Sequence, residues 1–123
     1  MKRRRTLAAL AIACVAGLAH GPAHAHALFA HSEPRVGATV QAAPAELKLW
    51  FTEQIEPAFS TVEVLDAAGK RVDKGDAHVD AQDRRLLRVS LGTLAAGSYT
   101  VVWRVVSEDS HATRGDFTFR VEH

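Results

Sequence analysis

The sequence predicts an all-β domain: an antiparallel, immunoglobulin-like β-sandwich of six or seven short strands behind a removable leader. Three observations carry this. Beyond residue 25, apolar side chains recur at every second position, the spacing that lines one face of a strand. Turn-forming Gly and Pro clusters interrupt the alternation at intervals of roughly 8–12 residues. No stretch of this region carries the i, i+3, i+4 spacing of an amphipathic helix.

The first 25 residues do not fit that pattern. Met1-Lys2-Arg3-Arg4-Arg5 is a charged start. Thr6 to Ala19 is an apolar run, shorter than the roughly 20 residues that a membrane-spanning helix needs. Gly21-Pro22 ends it, and Ala23-His24-Ala25 is a small-x-small cleavage site. This is the layout of a secretory signal peptide, 1–25, cleaved to leave an exported domain, 26–123. Cys14 falls inside the apolar run, and the run is too short to favour an uncleaved anchor.

Elements follow in order. Leu47, Leu49 and Phe51 alternate with Glu46, Lys48 and Trp50, and Val62 and Val64 alternate with Thr61 and Glu63. Leu87, Val89 and Leu91 share a side, as do Tyr99, Val101, Trp103 and Val105, and then Phe117, Phe119 and Val121. Their β-branched and aromatic content suits half-buried strands. Glu33-Pro34, Ala43-Pro44, Glu56-Pro57, Ala68-Gly69-Lys70, Lys74-Gly75-Asp76 and Ala96-Gly97-Ser98 mark the turns. The polar segment from Asp73 to Arg85 reads as a hairpin or loop. "LAAGSYTV" predicts a tyrosine corner, in which the Tyr99 hydroxyl ties its strand to the preceding loop. Val101 stands where antibody domains place a cysteine two residues later, so the likeness is one of architecture.

Charge and sulfur exclude several functions. Four of the 15 basic residues lie in the leader and all 14 acidic residues lie beyond it, so residues 26–123 carry a formal charge of −3. No basic tract remains for nucleic acid or anionic lipid. The one cysteine and one methionine also lie in the leader, so a disulfide-free core must hold the domain. Any metal must be bound through nitrogen and oxygen.

Cleavage after Ala25 would make His26 residue one, offering its α-amino nitrogen and imidazole to the same ion. Asp109 and His111 follow the Tyr99–Ser107 strand two residues apart. On extended backbone, such residues project to one face. An Asp-x-His pair alone is a weak signal. Joined to His26, it supplies three nitrogens in a T-shaped plane and a carboxylate oxygen, a tetragonal set that favours Cu(II). Gly115 is expected to turn the chain into the last strand, and Glu108 and Ser110 to face away from the ligands. Arg114 has Asp116 or Glu108 as ion-pair partners. His31, His78 and His123 read as solvated, and Trp50 and Trp103 as core or core-edge residues.

At this point the sequence resembles the periplasmic copper-binding CopC family. The resemblance rests on "HALFAHSEPRVGA", "LKLWFTEQIEPAFS" and "LAAGSYTVVWRVVSEDSHATRGDFTF", in that order and spacing. It implies a seven-stranded Greek-key β-barrel or sandwich, a periplasmic location, and a role in copper resistance or homeostasis as carrier or buffer. It implies a Cu(II) site of His26 (amine and imidazole), Asp109 and His111, with Glu53 close by. It also implies a separate inner-membrane partner of the CopD kind and a monomeric, non-enzymatic protein. Some members hold Cu(I) in a methionine-rich loop; residues 26–123 contain no methionine, so this chain resembles the Cu(II)-only subset. Two alternatives remain open from the residues. One is a copper-brace oxidative enzyme resembling polysaccharide monooxygenases, which are usually larger. The other is a metal-free immunoglobulin-like structural module.

Overall fold

The computed structural model describes residues 27–123. Eight strands occur in the order β1 (Phe29–Glu33), β2 (Thr39–Val40), β3 (Glu46–Phe51), β4 (Thr61–Leu65), β5 (His78–Val79), β6 (Leu86–Ser90), β7 (Gly97–Val106) and β8 (Ala112–Val121). Among the described residues one 3-10 turn, Pro57–Phe59, lies between β3 and β4. The strands form two four-stranded sheets, ordered β1-β3-β6-β5 and β2-β8-β7-β4. Only the β5–β6 and β7–β8 connections stay within one sheet; every other connection crosses the sandwich.

The predicted all-β sandwich is therefore present, with two differences of detail. There are eight strands rather than about seven, and one pairing is parallel: Thr39 and Val40 of β2 lie beside Arg120 and Val121 of β8. Two-residue strands cannot display an alternating pattern, so β2 and β5 left no periodic trace in the sequence. The Asp73–Arg85 segment contains β5, which pairs with β6 at His78↔Arg88 and Val79↔Leu87. Its start is tied down by Asp73, whose carboxylate accepts from the Val64 and Gly75 amides and from Arg71 Nε.

All the apolar positions picked out by alternation are buried: Leu47, Leu49 and Phe51; Val62 and Val64; Leu87, Val89 and Leu91; Tyr99 to Val105; Phe117 to Val121. Full burial of each large apolar side chain contributes about 1.5–3 kcal/mol. Ala27, Ile55 and Leu94 join this core. The Tyr99 hydroxyl donates to the Ala95 carbonyl, forming the expected corner.

Trp103 organises the end of the sandwich at which the described chain begins. Its indole stacks on Phe29 at 6.0 Å and meets Phe51 edge-on at 5.2 Å. The structure also corrects the expectation for Gly115. It is not a turn residue; it lies within β8, directly opposite Trp103. A Cβ built there would come within 2.6 Å of the indole. The glycine leaves room for a large ring to lie across the neighbouring strand.

Candidate metal centre

The β7–β8 hairpin builds the site. β7 ends at Val106, and Ser107 follows, buried and bridged to Ile55. The Ser107 amide donates to the His111 carbonyl at 2.9 Å, and the Ser110 amide donates to the Ser107 carbonyl at 2.9 Å. Ser110 has φ +71°. These contacts close a three-residue loop, Glu108-Asp109-Ser110, whose last residue is left-handed. Asp109 and His111 are thus brought together by a tight turn. The expectation that extended backbone would align them is replaced by a different local geometry with the same outcome.

Asp109 Oδ1 is the hub of the loop. It accepts from the Ser107 hydroxyl and from the His111 amide at 3.3 Å, and it lies 3.1 Å from His111 Nδ1. The Ser107 hydroxyl is the main reason that the Asp109 carboxyl is held down at a pKa of about 2. Desolvation opposes this, and the His111 contacts add to it. Asp109 is therefore an anion across the whole working pH range, and the ring of His111 is oriented through its Nδ1 side. Both side chains remain about 40% exposed, at 39% and 40%. The loop thus presents an oriented imidazole and a carboxylate to solvent.

Glu53 follows β3 and lines an open cleft of about 320 Å³ with Gln54, Arg85, Ser107, Glu108 and Asp109. The Glu108 amide donates to the Gln54 carbonyl at 3.3 Å, holding this segment against the hairpin. Glu53 and Asp109 therefore share one cleft. Among the described residues, no three His, Cys, Asp or Glu side chains converge closely enough to hold a metal ion.

His26 lies outside the described residues, but its successor is firmly placed. Ala27 is fully buried, and its carbonyl accepts from Thr113 Oγ1 at 2.8 Å. Leu28 and Thr52 then exchange two hydrogen bonds: the Leu28 amide to Thr52 Oγ1 at 3.0 Å, and the Thr52 amide to the Leu28 carbonyl at 2.9 Å. The chain that follows residue 26 is fastened between the exit of β3 and the start of β8, two residues past His111.

The other histidines lie elsewhere in the fold. His31 is exposed on β1 and stacks on Trp50, with ring centroids 4.5 Å apart. His78 is exposed with Nδ1 2.8 Å from the Asp76 carbonyl oxygen, and His123 is exposed at the C-terminus. Glu108 pairs with Arg84 at 3.3 Å, in place of the partner suggested from sequence, Arg114. Sequence reasoning missed Ser107, Thr113 and Thr52. Their roles come from hydroxyl contacts that depend on the folded turn and on pairing across the sandwich; Ser107, two residues before an Asp, was the one with a local signal.

A protein-family model described as the CopC domain matches residues 29–122. The chain belongs to the CopC family. It is 38% identical over 99 residues to protein YobA of Escherichia coli K12, covering 80% of each chain. It is 32% identical over 124 residues to copper resistance protein C of Xanthomonas campestris pv. juglandis, covering 96% of this chain and 97% of the relative. The crystal structure of CopC from Methylosinus trichosporium OB3b superposes with a TM-score of 0.74 at 37% identity, covering 79% of this chain and 94% of that one. CopC membership places the chain in a family of copper resistance and copper transport proteins, and the hairpin carrying Asp109 and His111 falls inside the matched region.

Proposed function

We propose that this CopC chain is an exported periplasmic protein that carries or buffers Cu(II) at a site completed by its own processed amino terminus. Cleavage after Ala25 would expose the α-amine of His26. That amine and the His26 imidazole, together with the His111 imidazole, supply three nitrogens, and Asp109 supplies an oxygen. Because Asp109 Oδ1 is engaged by Ser107 and His111, Oδ2 is the oxygen for the ion. Glu53 adds a second carboxylate in the same cleft. The donor set is hard and intermediate nitrogen and oxygen, suited to Cu(II) rather than Cu(I). The role is binding and hand-over to a separate CopD-like membrane partner, without turnover, by a monomer.

The observation that carries this reading is the anchoring of Ala27. Its carbonyl is hydrogen-bonded to Thr113, two residues past His111. Ala27 is therefore held at the start of β8, next to the hairpin that carries Asp109 and His111. Among the described residues, Asp109 and His111 are the paired donors that the hairpin supplies.

The mass of the exported protein tests the first step and should correspond to a chain starting at His26. The His26→Ala and His111→Ala variants should each weaken Cu(II) binding by roughly 100-fold, about 2.7 kcal/mol. A different start, or unchanged loading in either variant, would overturn the proposal.

A further inference from the structure

The outer face and free edge of β8 carry features that copper binding leaves unused. β2 covers only Arg120 and Val121, and the Gly37 amide reaches the Thr118 carbonyl at 2.8 Å. From Ala112 to Phe117, the β8 backbone is paired with a strand on one side only among the described residues, to Val101–Val106 of β7, while the Thr113 hydroxyl donates to the Ala27 carbonyl. Six residues of open edge run about 20 Å at 3.4 Å per residue. Such an edge is a ready template for another strand.

Charge marks the same place. Arg104 of β7 stands directly opposite Arg114 of β8, and both are exposed. Like charges directly opposite across a strand pair are destabilising. Among the described residues, neither guanidinium forms an ion pair; Asp116 lies on the same exposed face of β8 two residues from Arg114, and Glu63 lines a groove beside Arg104. Glu63 is taken by Arg71 at 3.9 Å, and the residue beside Arg104 on β4 is the uncharged Thr61. Residues 1–26 contain no Asp or Glu to serve as a partner. The two arginines, with Ala112 and Thr113, line a groove of about 240 Å³. The groove begins one residue from His111.

We propose that the open edge of β8 from Ala112 to Phe117, with Arg104 and Arg114 on its outer face, docks an extended acidic segment of a protein that exchanges copper with this chain. The segment adds a strand to the sheet through backbone hydrogen bonds, and its alternate side chains place carboxylates on the two guanidiniums. This adds carboxylates to a like-charge pair that forms no ion pair among the described residues. One end of the docked segment then lies beside the candidate metal centre. The copper-exchanging identity of the partner rests on the function proposed above; the docking itself does not.

The test is an amide NMR titration of the metal-free protein with the peptide acetyl-Thr-Glu-Val-Glu-Val-Thr-amide. Three controls accompany it: the same peptide with Lys for Glu, a version with Pro replacing the central Val, and inorganic phosphate. The acidic peptide should shift the amides of residues 112–117, and R104E/R114E should weaken it at least tenfold while gaining affinity for the Lys peptide. R114Q, which removes one of two repelling charges, should give an intermediate loss with the fold intact by circular dichroism. Equal binding of the Glu and Lys peptides, no shift in 112–117, or equal binding of the Pro peptide would overturn the proposal. So would phosphate reproducing the shifts as tightly as the peptide, which would reduce the face to a simple anion site. Copper affinity of R104E/R114E should be unchanged. Failure of docking with copper binding intact therefore leaves the proposed function standing, and the converse result separates the two in the other direction.

Discussion

Asp109 shows how a three-residue loop holds a carboxylate in place. Its Oδ1 is committed to Ser107 and His111, and the Ser107 hydroxyl chiefly keeps the carboxyl ionised down to a pKa of about 2. The folded pKa lies below the unfolded value of about 3.9, so the stability contributed by this group is fully present above about pH 4 and is lost as pH falls toward 2. If the proposed site holds copper, release on acidification above pH 4 should come from protons on nitrogen rather than on Asp109. A copper-release titration followed alongside the Asp109 carboxyl NMR shift should show the ion leaving while the carboxyl remains ionised. Ser110 supplies a second test. A non-glycine residue in the left-handed region costs about 1–2 kcal/mol, and glycine gives back part of this in unfolded-state entropy. Ser110→Gly should raise stability by about 0.5–1 kcal/mol in urea unfolding. The sequence showed that Asp109 and His111 belong together. It did not show how, because a serine at the left-handed position does not announce the turn that a glycine would.

At the scale of elements, the hairpin and the aromatic cluster below it act as one unit. Trp103 and Gly115 face each other across β7 and β8, and the indole fills the space that any side chain on Gly115 would need. Gly115→Ala should destabilise the fold by about 1–3 kcal/mol, the usual cost of overpacking. Adding Trp103→Leu should give a total smaller than the sum of the two single effects, since contacting residues couple. Urea unfolding of the two single variants and the double variant measures this; strict additivity would show that the ring does not depend on the glycine. The long strands were legible because Leu47 to Phe51, Tyr99 to Val105 and Phe117 to Val121 alternate cleanly and all face one core. β2 and β5 were not, since their two residues gain their place from pairing with β8 and β6 rather than from pattern. Gly115 was misplaced for a related reason: a glycine between polar residues reads locally as a turn, and only the register opposite Trp103 shows its packing role.

The whole molecule joins two distant parts of the chain. Ala27 and Thr113 are 86 positions apart and share a hydrogen bond, because the two sheets close over a common core at this end. Residues 26–123 contain no cysteine, so this closure depends on apolar packing and hydrogen bonding without a disulfide. Metal should therefore stabilise a fold that already exists. With free Cu(II) at 1,000 times Kd, binding linkage predicts about 4.1 kcal/mol of added stability, seen as a rise in the thermal midpoint. No local pattern could reveal the meeting of residue 27 with residue 113, which depends on how the two sheets close. The most direct test compares Cu(II) affinity and the EPR spectrum of the chain beginning at His26 with those of the same chain carrying one additional methionine before it. The account predicts a loss of roughly 100-fold in affinity, about 2.7 kcal/mol, and a changed nitrogen coupling pattern in the extended chain. Equal affinity and identical spectra would contradict it.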